Sequence, residues 1–265
     1  MQIDLYQVDA FTDKVFGGNP AAVCPLSKWL PDETLLNIAA ENNLSETAFF
    51  VPSNQDGIDY HLKWFTPTIE VDLCGHATLA SSYVIFNHLD FEKETIRFES
   101  KSGILEVSKT KTGYTLNFPT WTPDSCAYSA EDIEKILGVP VIETHQSTKT
   151  FAILNDAKTV QDLKPDFGKV KTLEDTKGLV ITAKGENGVD FVSRLFAPQI
   201  GIDEDPVTGA IHCFLIPYWA KKLNKNKMLA HQLSKRRGEL HCEIKGGRVE
   251  ISGNAVLYMK GTINI

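Results

Sequence analysis

Two helical stretches with no formal charge, about half a chain apart, set the terms on which this chain can fold. The first runs Ala-Thr-Leu-Ala-Ser-Ser-Tyr-Val-Ile-Phe-Asn from Ala77 to Asn87. The second runs from Gly209 through Ala210-Ile211-His212-Cys213-Phe214-Leu215-Ile216 toward Ala220, again without Asp, Glu, Lys or Arg. A helix that is apolar on every side has no face to present to water, so other elements must surround it. Neither stretch has the apolar length needed to cross a bilayer. Pro217 is expected to kink or shorten the second helix.

The material to surround them is strand. Ile3 and Leu5 alternate with Asp4 and Tyr6, and period-two alternation is a strand signal. Thr47–Val51, Tyr60–Thr66, Ile96–Glu99, Ile104–Lys109 and Tyr114–Phe118 are rich in β-branched and aromatic residues. Pro31-Asp32-Glu33 opens a helix that Asn42-Asn43 ends. The prolines of Pro119-Thr120-Trp121-Thr122-Pro123 mark a crossover. Beyond it, Ser129 caps a helix over Ala130–Leu137, with strands at Thr150–Leu154, Gly178–Thr182 and Val189–Phe196. Hairpin-like strands at Glu239–Ile244, Val249–Ser252 and Ala255–Ile265 close the chain. Each uncharged helix is entered through a glycine turn, Cys74-Gly75-His76-Ala77-Thr78 or Asp205-Pro206-Val207-Thr208-Gly209-Ala210. The expectation is an α+β fold of two similar lobes, residues 1–119 and 120–265. Each is a curled, barrel-like, antiparallel or mixed sheet around a central buried helix, and the active site lies in the cleft between them.

Composition narrows the function. With 265 residues, 42% of them apolar and 23% charged, the chain can fold throughout. A net charge of −7 gives no footprint for nucleic acid. The five cysteines, Cys24, Cys74, Cys126, Cys213 and Cys242, are odd in number and scattered, which fits reduced thiols. The opening residues lack the basic head and apolar run of a signal peptide, so the expected compartment is the cytoplasm and no membrane partner is expected. The basic cluster Lys221, Lys222, Lys225, Lys227, Lys235, Arg236 and Arg237 reads as a solvated face or as an anion-binding rim.

Three places carry candidate chemistry. Alternation puts Glu46 on the same strand face as Ala48 and Phe50, and an apolar face should raise a carboxyl pKa toward the range useful for proton transfer. The alternative is a Glu46 that caps or pairs at a strand edge. The two glycine turns offer backbone N–H groups at helix starts, where a small carboxylate could be held. Alternatively they are ordinary helix entries, capped by Asp72 or Asp205. No dinucleotide or phosphate-loop motif occurs, and no His/Cys group has zinc-like spacing, so neither cofactor nor metal is expected. Cys74 and His76, two residues apart at a helix start, are not expected to face each other, leaving Cys74 as a small apolar or proton-handling group.

These residues also carry a family resemblance. Asp9-Ala10-Phe11 and Phe16-Gly17-Gly18-Asn19-Pro20-Ala21-Ala22-Val23 come first, then Asn43-Leu44-Ser45-Glu46-Thr47 and Trp64-Phe65-Thr66-Pro67. Asp72-Leu73-Cys74-Gly75-His76-Ala77-Thr78, Arg194-Leu195-Phe196-Ala197-Pro198, Glu204-Asp205-Pro206-Val207-Thr208-Gly209 and Val249-Glu250-Ile251-Ser252-Gly253-Asn254-Ala255 follow in order. In this ordered set the chain resembles the phenazine-biosynthesis isomerase-like (PhzF-like) family, relatives of diaminopimelate epimerase. The resemblance implies a diaminopimelate epimerase-like fold, with the last strand, about 256–265, returning to the first lobe, and a homodimer, as is common in the family. It implies a cofactor-independent isomerase that shifts, epimerises or racemises at a small carboxylate substrate. Glu46 then matches the catalytic acid/base, and Asp205, His76 and Cys74 stand at or near further catalytic positions. Ser45, Gly75, Gly209, Ala210 and Asn19 fall at substrate-facing positions. A two-base route through Cys74 and Asp205 stays open beside the single-glutamate shift, as do a non-catalytic acid-binding protein and a lyase or hydrolase of a related acid. Gly209-Ala210-Ile211-His212 departs from the family's usual Gly-Ser-Ala-His, and Arg236-Arg237-Gly238 from its Arg-Gly-Gly; both bear on the substrate.

Overall fold

Both uncharged stretches are helices, and each is buried within its own unit of the chain. The computed structural model describes residues 1–111 and 113–265. One unit comprises Met1–Phe118 with Glu250–Ile265, the other Pro119–Val249.

The first unit runs β1 (Gln2–Ala10), β2 (Asn19–Pro25), α1 (Asp32–Asn42), β3 (Glu46–Pro52), β4 (Tyr60–Phe65), β5 (Glu70–Val71), α2 (Gly75–His88), β6 (Thr95–Ser100), β7 (Gly103–Thr110) and β8 (Gly113–Pro119). β1 and β2 are antiparallel, β2 and β3 parallel across α1, β3 and β4 antiparallel, and β4 and β6 parallel across α2. Two antiparallel pairs, β6–β7 and β7–β8, complete the series, and β5 lies antiparallel on β4. The sheet curls, so that α2 touches β1, β2, β3 and β7 together. Ten of its residues, from Gly75 to Ile85, are buried. On the outer face, Leu35, Ile38 and Ala39 of α1 pack against Cys24, Phe49, Val51 and Phe65. Because strand side chains alternate, the intervening Glu46, Ala48 and Phe50 of β3 face α2.

The second unit repeats this order. It runs α3 (Ala130–Leu137), β9 (Val141–Gln146), β10 (Thr150–Leu154), α4 (Ala157–Asp162), α5 (Phe167–Lys171), β11 (Leu179–Lys184), β12 (Phe191–Ala197), β13 (Ile202–Asp205), α6 (His212–Leu223), β14 (Lys227–Gln232) and β15 (Gly238–Lys245). β9–β10 is antiparallel, β10–β11 parallel across α4 and α5, β11–β12 antiparallel, and β12–β14 parallel across α6. β14–β15 is antiparallel, and β13 lies antiparallel on β12 as β5 does on β4. The seven strands β1 to β7 thus recur as β9 to β15 in the same pairing pattern, with α4 and α5 in the place of α1 and α6 in that of α2, although the two halves share little at the level of residues. α3, α4 and α5 cover one sheet face through Ile133, Leu137, Val160 and Val170. α6 covers the other: Phe214 meets Phe151 with ring centroids 4.1 Å apart, and Trp219 Nε1 donates to Thr182 Oγ1 at 3.0 Å.

Three expectations change. α6 begins at His212, not at Gly209: residues 209–211 form a tight turn in which His212, Cys213 and Phe214 N–H groups bond carbonyls three residues back. Pro217 does not shorten α6, which reaches Leu223. A proline leaves the carbonyl four residues before it without its helical donor, and here that carbonyl, of Cys213, accepts the Trp121 N–H at 2.9 Å. The return to the first unit begins at Glu250, earlier than residue 256. β16 (Arg248–Gly253) pairs with β8, and β17 (Ala255–Asn264) runs antiparallel to β1 from Ala10↔Ala255 to Gln2↔Asn264. Strands β2, β9, β13 and β14 and the short helices α4 and α5 had no clear sequence signal.

The approach to β2 is tightly held. Asp9 Oδ2 accepts the Phe16 N–H at 2.8 Å, and Gly18 stands at φ +59 with a Cβ position only 2.1 Å from Ala10 O. Gly57, at φ +77, has open space around the same position. Left-handed backbone alone costs an L-residue about 1–2 kcal/mol. Gly57→Ala should therefore cost about 1 kcal/mol in urea denaturation, and Gly18→Ala more than about 3 kcal/mol because backbone must move as well.

Candidate active site

Three element starts converge in the first unit. Ala21 of β2 pairs with Glu46 of β3, so Asn19, two residues before Ala21, shares the face that looks at α2. The start of α2 lies against that face and supplies Cys74 and His76. Asn19 Nδ2 donates to His76 Nδ1 at 3.2 Å. On the other side of the ring, His76 Nε2 stands 3.3 Å from Glu46 Oε2. His76 is 4% exposed and the Glu46 side chain 15%. Ser45, half-buried, directly precedes β3, and Gly75 is buried in the first turn of α2.

Burial decides the charge state of the ring. Desolvation pushes the His76 pKa down to about 3, so the imidazole is neutral at physiological pH. A neutral ring whose Nδ1 accepts from Asn19 carries its proton on Nε2, facing the carboxylate. The Nε2–H lies off the line to Oε2, so the contact is one of charge with dipole and not an ion pair.

Cys74 and His76 do meet, against expectation: Cys74 Sγ is 3.4 Å from His76 Nδ1. The spacing argument assumed helical geometry at both residues. Cys74 is the N-cap, with extended backbone at φ −141 and ψ 108, and this turns its side chain back over the first turn. The Cys74 side chain makes no capping bond to the backbone of the first turn, and Asp72 is not the cap. The Gly75, His76 and Ala77 N–H groups precede the first helical bond and have no acceptor within α2.

In the second unit Asp205 ends β13 and its carboxylate accepts the Thr208 hydroxyl. Gln232 was not foreseen. Fully buried at the end of β14, it spans the turn, accepting Thr208 N–H on Oε1 at 2.8 Å and donating from Nε2 to Asp205 O at 2.8 Å. A lone glutamine late in a strand carries no signal without the turn it binds. Gly238 admits the same turn closely, its Cβ position lying 2.3 Å from Val207 Cγ2. Gly209 is buried and Ala210 half-buried. His212 donates from Nδ1 to Thr208 O at 2.9 Å, and desolvation pushes its pKa down to about 4, partly countered by the Thr208 and Gly209 carbonyls. Asp205 and His212 thus brace the turn. Arg194, from another matched segment, is structural, gripping Glu204 through two bonds of 2.7 and 3.0 Å.

The chain is similar to known proteins over nearly its whole length. The family model of phenazine biosynthesis-like proteins (PhzC-PhzF) matches residues 8–261. A Pseudomonas aeruginosa protein named an uncharacterized isomerase is 46% identical, with 100% of both chains covered. The crystal structure of a PhzF-family protein from Enterococcus faecalis is similar with TM-score 0.94 and 47% identity over 100% of both chains. At 9% identity, a hydroxyproline epimerase from Agrobacterium vitis shares the fold with TM-score 0.62, covering 99% of this chain and 92% of that one.

Three outcomes follow for this geometry. The ring-proton NMR signals of His76 and His212 should not move between pH 5 and 8. Because the unfolded chain binds protons at both rings below about pH 6.5 and the folded protein does not until about 3 to 4, stability should fall as pH drops below that value. Gln232→Leu should cost about 2–4 kcal/mol in denaturant, since it strands the buried Thr208 N–H and Asp205 C=O.

Proposed function

We propose that this chain, which belongs to the phenazine biosynthesis-like protein family, is an isomerase that moves a proton on a small carboxylate metabolite, with Glu46 as general acid/base and no cofactor. The observation that carries this reading is the pairing of a largely buried carboxylate with a ring that cannot be cationic at neutral pH. A cation at 3.3 Å would hold Glu46 as a carboxylate. A neutral ring exerts no such hold, as a group that must take and return a proton requires.

Relatives named as isomerases support the reaction class. The substrate's carboxylate is assigned to the N–H groups of Gly75, His76 and Ala77, because a helix start without a side-chain cap is an anion site beside Glu46. The Agrobacterium vitis epimerase holds trans-4-hydroxy-L-proline, a small acid of the class proposed here. Ser45 and Asn19 shape the approach on either side of Glu46, and Asn19 also fixes the His76 tautomer. Cys74, through the His76 ring, and Asp205, through Thr208, act as positioning groups in this reading. Gly209 and Ala210 of the second unit lie in the turn before α6, where their backbone is open to a small acid in this reading.

The test is incubation in D2O with a panel of amino and hydroxy acids, read by NMR for deuterium at carbon. At least one acid should exchange with the parent protein. Glu46→Gln should lower that rate by about 10²–10⁴-fold at unchanged melting temperature. Exchange as fast in Glu46→Gln as in the parent, with the fold intact, would overturn the assignment.

A further inference from the structure

We infer that Cys74, His76 and Glu46 form a binding site for a thiophilic divalent ion of the zinc or cadmium class, which would occupy the proton-transfer site and silence it reversibly. One donor atom from each residue lies within 4.8 Å of the others, and this is the cluster of that kind found among the described residues. The donor set is sulfur, nitrogen and carboxylate oxygen, the ligands that zinc prefers. The individual distances suit it. Cys74 Sγ and His76 Nδ1 are 3.4 Å apart, and two ligands at zinc-bond lengths on a tetrahedron stand about 3.6 Å apart. Glu46 Oε2 stands nearer Nε2, so its side chain must swing round the ring edge to join an ion held by Cys74 Sγ and Nδ1, a donor atom of each residue lying within 4.8 Å of the others.

Charge points the same way: a thiolate and a carboxylate together balance a divalent ion. Asn19, which donates to Nδ1 at 3.2 Å, can turn its amide to present Oδ1 where Nδ2 now stands, yielding a fourth ligand of nearly the same shape. Binding balances as one ion taken up and one thiol proton released to solvent.

The binding claim stands on these residues alone; only the silencing rests on the proposed role of Glu46. The probe is Cd²⁺ alone, titrated into a Cys126→Ser protein, since Cys126 is the cysteine that is not buried. Burial pushes Cys24 and Cys213 up to about 12 and Cys242 higher still, which keeps them from competing. The expected result is an ultraviolet thiolate-to-cadmium charge-transfer band that saturates at one ion per chain, with one proton released. Cys74→Ala should abolish the band, and His76→Ala and Glu46→Gln should each weaken binding by more than about tenfold. In the parent chain, bound Cd²⁺ should protect Cys74 from alkylation, a readout that needs no variant to fold. No band at stoichiometric Cd²⁺, a band that survives Cys74→Ala, or alkylation of Cys74 unaffected by Cd²⁺ would overturn the site. If Cd²⁺ binds as described but leaves exchange at carbon undiminished, the site stands and the role given to Glu46 falls.

Discussion

The first unit depends on a helix whose buried hydroxyls are satisfied without water. α2 contains Thr78, Ser81 and Ser82, fully buried. Each hydroxyl donates to the carbonyl four residues back, at 2.6, 2.8 and 2.8 Å. Hydroxyls turned inward in this way cost little to bury, whereas a single unpaired charge in their place would be prohibitive. The strands can therefore close on α2 from several sides. Enclosure in turn strips water from His76 at the helix start, and the loss of water keeps the ring neutral. The electrostatics beside Glu46 are a consequence of the packing of α2.

The repeated topology separates scaffold from chemistry. Both units pass a parallel strand pair across an outer helical segment and a second across the buried helix. What they place at equivalent points differs. β3 begins with Glu46 where β11 begins with Leu179, and both strands pair at that residue with a parallel neighbour. The start of α2 has a thiol and an imidazole; the turn before α6 is laced by Gln232, Thr208 and Asp205. One half holds a carboxylate beside a buried imidazole, the other a braced backbone. The exposed Phe16 ring, which meets Tyr258 edge-on at 5.7 Å, adds no reactive group.

Much of this was legible in the sequence because it follows from local rules. The uncharged runs announced the two buried helices, and alternation placed Glu46 with Ala48 and Phe50. Ser129 caps α3, as the residue order suggested, and Asp132 completes a capping box. What escaped depended on distant partners or on backbone conformation. The Cys74–His76 contact was misjudged because Cys74 lies just outside the helix whose periodicity was applied to it. Pro217 was expected to curtail α6, but its orphaned carbonyl finds Trp121, a residue 92 positions earlier (213 − 121). Gln232 and the β13–α6 turn meet across 24 residues of sequence. Arg237, in the left-handed region at φ 57, shows that a non-glycine residue can hold a tight turn when a side chain, here Ser234 Oγ, takes its N–H.

The central claim is that Glu46 itself carries the transferred proton. A primary deuterium isotope effect tests it most directly, measured with whichever carboxylate proves to exchange, labelled at the reacting carbon. The account predicts a normal primary effect in the parent protein that grows in Glu46→Asp, where a carboxylate set back by one methylene makes proton transfer more fully rate-limiting. A primary effect that is unchanged in Glu46→Asp, with turnover equal to the parent, would contradict it and place the transferred proton on another group.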